Sequence, residues 1–133
     1  MLYKELKPET IKYIQDCAKA ILARMSVCAN VHLSSYNSLG VEYVKLESEP
    51  FNTTPSMFKK VWVVGHGQIK GETMRDGYFN LVFTLGYRYE YYDGGENGAN
   101  IGHIDFRIIN DNNEQRVIFN CFTTSLYMQQ KVL

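Results

Sequence analysis

Tyr78-Phe79-Asn80-Leu81-Val82-Phe83-Thr84-Leu85-Gly86-Tyr87-Arg88-Tyr89-Glu90-Tyr91-Tyr92 places Phe79, Leu81, Phe83, Leu85, Tyr87, Tyr89 and Tyr91 at odd positions. Asn80, Thr84, Gly86, Arg88 and Glu90 take even ones. A period of two is that of a strand with one apolar face. Straight, the strand would run roughly 50 Å, beyond ordinary strand lengths, so a bend is predicted, with Gly86 as its point. Downstream, Gly102, Ile104, Phe106 and Ile108 alternate with His103, Asp105 and Arg107. Asp93-Gly-Gly-Glu-Asn-Gly98 between the two runs predicts a long hairpin with a polar group on the face away from the core.

Outward from this hairpin the pattern extends in both directions. Asp111-Asn-Asn-Glu114 is a turn signal, and Arg116 to Tyr127 a final strand. Upstream, Lys59 to Lys70 is a strand, joined to the long one through Gly71 and Gly77. Residues 47 to 58, with Pro50 and Pro55, read as a loop. Val31 and Leu33, the turn Asn37-Ser38-Leu39-Gly40, and Val41 to Leu46 predict an earlier hairpin. Ile11, Ile14, Ala18, Ile21, Leu22 and Met25 recur at helical spacing behind Pro8 and Glu9, which predicts one amphipathic helix over residues 8–26. The expected fold is α+β: a single domain over residues 1–133, with an N-terminal helix packed on a curved antiparallel sheet of five to six strands. In order of elements this is similar to cystatin-type and cone-shaped nuclear-transport-factor-like architectures. No motif is shared with either, and fold alone assigns no function.

Composition narrows the function classes. Lys and Arg together number 14, as do Asp and Glu, so the net charge is zero. That argues against non-specific binding to nucleic acid or anionic membrane, both of which rely on excess cations. Asp76-Gly77-Tyr78-Phe79-Asn80-Leu81-Val82-Phe83 departs from an RNA-recognition motif at Asn80, where an aromatic is needed, and the second helix is missing. No segment has the length of a membrane span or a signal-peptide core. Cys17, Cys28 and Cys121 are odd in number and widely spaced, which suits reduced thiols in the cytoplasm. His32, His66 and His103 come from separate strands without ligand spacing, so neither a metal nor another cofactor is expected.

Matching apolar faces across the turns predicts a register. Phe83 falls near Ile108, Leu85 near Phe106 and Tyr87 near Ile104, with Val117, Phe119 and Cys121 beyond them on the helix-facing side. Val61, Val63, Gly65 and Gly67 fall beside Tyr87, Leu85, Phe83 and Leu81. The opposite face then reads Lys60, Arg88, His103 and Phe122 in one row. The next rows are Trp62, Gly86, Asp105 and Asn120, then Val64, Thr84, Arg107 and Ile118. Trp62, Arg88, His103, Asp105, Arg107, Asn120 and Phe122 are the predicted ligand- or partner-binding residues. Arginine and aromatic residues dominate interface energetics, and so large an apolar area on an outer face calls for a cover. A homo-oligomer, a protein partner, a small anionic ligand or the 47–58 loop could supply it. No catalytic signature accompanies these residues, so a non-enzymatic binding protein is the first reading. The alternative is a small acid–base enzyme with a cone-shaped pocket, in which Asp105 orients the imidazole of His103.

Overall fold

The computed structural model describes residues 3–51, 57–71, 77–111 and 114–124. A short 3-10 turn, Tyr3–Glu5, precedes α1 (Pro8–Ala23), and six strands follow: β1 (Val31–Ser38), β2 (Val41–Ser48), β3 (Phe58–Lys70), β4 (Gly77–Tyr91), β5 (Glu96–Asp111) and β6 (Glu114–Thr124). Each strand pairs antiparallel with the next, giving the sheet order β1-β2-β3-β4-β5-β6, which does not close. The chain is therefore α+β, as its periodicities imply. No helix among the described residues is long and apolar enough to cross a membrane.

Pro8 starts α1, where the missing N–H costs nothing. Ile14, Ala18, Ile21 and Leu22 are buried against the sheet. The helix ends three residues earlier than its hydrophobic spacing implies, and Ser26 turns the chain at a φ of 65°. Met25 and Val27 still reach the core from that turn. The β1–β2 loop is a tight turn with positive φ at both Leu39 and Gly40, the geometry that matches strand twist.

Two glutamines tie the helix to both edges of the sheet. Lys7, at the helix N-cap, has no side-chain cap of its own. Gln115 on β6 substitutes: its Oε1 accepts from Lys7 N–H at 3.0 Å and from the Thr10 hydroxyl at 2.8 Å, and its Nε2 donates to the Glu5 carbonyl. On the other flank Gln15 Oε1 accepts from Leu33 N–H of β1 at 2.8 Å. Thr10 and Gln15 lie about 140° apart around the helix axis, so β1 and β6 sit on roughly opposite sides of it. In a flat six-stranded sheet those edges would be about 24 Å apart. The sheet curls until both flank a single helix.

The core forms inside that curl. Phe79, Leu81, Phe83 and Leu85 of β4 are buried with Ile104, Phe106 and Ile108 of β5, and Phe83 and Phe106 meet edge to face. The predicted phase of both strands is thus correct, but their register is not. Ile108, Phe106 and Ile104 pair with Phe79, Leu81 and Phe83, four residues from the expected partners. Val61, Val63, Gly65 and Gly67 pair with Tyr89, Tyr87, Leu85 and Phe83, two residues from theirs. Gly67 fits only as glycine, because a Cβ there would sit 2.2 Å from the Val82 carbonyl oxygen.

Two register shifts complete the correction. The first falls between Leu85 and Gly86, where a bend was predicted, and makes Ile101 an extra residue of β5. The second falls between Asp105 and Phe106, opposite Phe119 and Cys121, and makes Asn120 the extra residue of β6. One inserted residue reverses the faces beyond it. Cys121, expected in the core, is exposed beside Asp105. Phe122, expected on the outer face, is fully buried opposite Ile104.

Candidate ligand-binding hollow on the outer face

The outer face divides into two regions. Arg88 pairs with Trp62 on one side and Gly98 on the other, whereas Arg107 pairs with Asn80 and Ile118. Eight residues of β4 separate those levels, about 27 Å along the sheet. The two arginines do not converge, and the single cluster predicted from sequence is two.

Around Arg88 lies a hollow of about 960 Å³. Its floor lacks side chains at Gly86 and Gly98, and Trp62, Val64, Lys45, Glu47, His66 and Thr84 stand around it. A Cβ on Gly98 would lie 2.8 Å from Arg88 Nη1, so the guanidinium runs across that glycine. Arg88 is exposed and makes no ion pair within 4 Å among the described residues. Lys45 is held by Glu47 at 3.3 Å. Trp62 and Val64 are only 9% and 5% exposed although they face outward. A long charged side chain covers Trp62: Lys60 Nζ lies 4.3 Å above its ring. Of the predicted 47–58 loop, Glu47 and Ser48 belong to β2 and Glu47 lines the hollow, whereas Phe51 lies elsewhere, pairing with Val61 and packing on the core. Residues 52–56 of that loop lie outside the described residues.

His66 is a lining side chain of the hollow that the sequence pattern did not single out. Its Nδ1 is 2.8 Å from the Tyr36 hydroxyl, and its ring meets Tyr36 edge-on at 5.7 Å. Tyr36 in turn stacks on Tyr43. Partial burial, and then the positive charges of Arg88 and Lys45, push the His66 pKa below its ordinary value against a smaller opposing effect of Glu47. The available signal was its place between Gly65 and Gly67. Both glycines face the core, so the histidine between them must face out.

At the other end, Arg107 lies over the Tyr78 ring at 4.6 Å. Asn120 donates to Asp105 Oδ2 at 3.2 Å, a contact made by the inserted residue of β6. Asp105 Oδ1, Asn80 Oδ1 and Arg107 Nε are buried without a hydrogen-bond partner among the described residues. His103 is exposed opposite Thr84 and does not line the hollow around Arg88. Asp105 engages Asn120 rather than the imidazole. Slight desolvation of its sulfur, followed by the Asp105 charge, raises the pKa of the largely exposed Cys121, which keeps the thiol protonated and a poor nucleophile. Of the seven predicted residues, Trp62 and Arg88 share the hollow, Asp105 and Asn120 form a pair, and Phe122 belongs to the core.

Comparison of the chain with protein-family models, with curated proteins and with solved structures finds no match.

Proposed function

We propose that this protein is a non-enzymatic binding protein that takes a small anionic ligand in the hollow around Arg88. The observation that carries the reading is Arg88 itself, an exposed guanidinium laid across Gly98 with no carboxylate within ion-pair distance among the described residues. Such a fork matches the two oxygens of a carboxylate or phosphate edge. Lys45 and His66 stand around the same hollow, and Thr84 adds a hydroxyl. Acid–base chemistry at His103 is less well supported, because its imidazole is exposed and no carboxylate among the described residues orients it.

The region around Arg107 is where the reading places self-association or a protein partner. Tyr78 and Ile118 are 56% and 48% exposed there beside the guanidinium, a composition common at interface hot spots. The reading sets the protein in the cytoplasm, supported by three cysteines that form no disulfide.

Native mass spectrometry of protein isolated from its producing cells tests both parts at once. A small anionic adduct on the wild-type chain that Arg88→Glu loses is the expected result. An adduct retained by Arg88→Glu and lost in His103→Ala would overturn the assignment.

A further inference from the structure

We infer that anion binding in the hollow is coupled to protonation of His66, whose imidazolium joins Arg88 and Lys45 as a third cation, so that occupancy strengthens as the pH falls. This deepens the reading of the hollow as an anion site and rests on it.

The geometry allows the ring to carry either charge without moving. Tyr36 from β1 holds Nδ1 at 2.8 Å, and a hydroxyl can donate to a neutral imidazole nitrogen or accept from a protonated one. The proton can therefore be gained with rotation of one O–H and no loss of the hydrogen bond. Nε2 has no hydrogen-bond partner among the described residues.

Groups from every neighbouring strand bear on the ring. Lys45 lies directly opposite on β2, and Thr84 directly opposite on β4. Glu47 of β2 and Arg88 of β4 act on its charge from farther along the hollow, and Glu96 of β5 lines the same space. With the hollow empty, Arg88 and Lys45 together repel a proton on His66 more than Glu47 attracts one. A bound anion reverses that balance, since it neutralises both cations and itself attracts the imidazolium. Linkage is reciprocal: if the anion raises the proton affinity of His66, the proton raises the anion affinity by the same factor.

Sulfate is the probe, because it stays doubly charged from pH 5.5 to 7.5 and has the tetrahedral oxyanion geometry of phosphate. Its affinity is measured from the backbone amide shifts of Gly86 and Gly98 at constant ionic strength, for wild type, His66→Gln, Arg88→Gln and His32→Gln. Wild type and His32→Gln should bind sulfate about fivefold or more tightly at the lower pH, within the usual range for coupled sites. His66→Gln should bind equally at both. In the wild-type protein the His66 ring resonances should titrate at higher pH once sulfate is saturating, a result that does not depend on any variant folding. Equal wild-type affinity at the two pH values, pH dependence that survives in His66→Gln, or an unmoved His66 titration each overturns the coupling and leaves the anion site standing. Absence of sulfate shifts at both pH values, or binding unchanged in Arg88→Gln, overturns the anion reading and the coupling with it.

Discussion

Arg88 and Arg107 occupy neighbouring strands, face the same side of the sheet and have opposite surroundings. Arg88 rests on a glycine, stays exposed and faces open space; Arg107 is half-buried over Tyr78, with Asn80 opposite. Residue type and strand phase are identical in the two cases. What differs is the cross-strand partner. A glycine opposite an arginine leaves the charge in a hollow, whereas a polar side chain opposite and an aromatic ring beneath absorb it into the sheet. Availability for a ligand is decided by register.

The most damaging way to break this contrast is to disturb the β3–β4 register itself. Gly67→Ala would drive a Cβ into the Val82 carbonyl, so the strands must part, and a loss of about 2–3 kcal/mol in urea unfolding is expected. Stability within about 0.5 kcal/mol of wild type would show that this register is not held as tightly as the close approach implies.

A smaller effect sharpens the contrast directly. Arg88→Gln should weaken sulfate binding at least about tenfold, the loss of roughly one charge-assisted hydrogen bond, while Arg107→Gln leaves it within about twofold. Equal losses from both would mean that the two regions act together despite their separation.

The smallest effect is on stability against pH. The His66 pKa is lowered by folding, so the unfolded chain binds more protons than the native one just below the ordinary histidine value. The His66 contribution is therefore lost as the pH falls through the histidine range, and stability should rise from pH 5.5 to 7.5. His66→Gln should flatten that rise in matched unfolding curves. A rise of the same size in the variant would assign it to other groups.

Strand phase was legible along most of the chain, because alternation of Phe79, Leu81, Phe83 and Leu85 with polar residues allows only one face to be buried. Trp62 and Arg88 were correctly read as outward for the same reason, although Trp62 was expected opposite Gly86 and Arg88 opposite Lys60. The offsets were not legible. Slips of two or four residues keep every apolar side chain on its face, so burial cannot distinguish them, and the glycine-rich run Asp93–Gly98, read as a loop although Glu96, Asn97 and Gly98 belong to β5, permitted several. Nor was the inserted Asn120 visible. Val117, Phe119 and Cys121 continue an unbroken alternation, and only pairing with Asp105 and Phe106 shows that it is interrupted. That interruption sent Phe122 inward and Cys121 outward.

The linear chain by itself determined one helix, six extended segments and which side chains of most strands turn inward, since these depend on local spacing and on the need to bury apolar area. Tertiary structure alone decided which arginine has room for a ligand and which histidine stands beside it. Those outcomes depend on strand offset, inserted residues and the close approach of backbones, and none of them changes the hydrophobic pattern along a single strand.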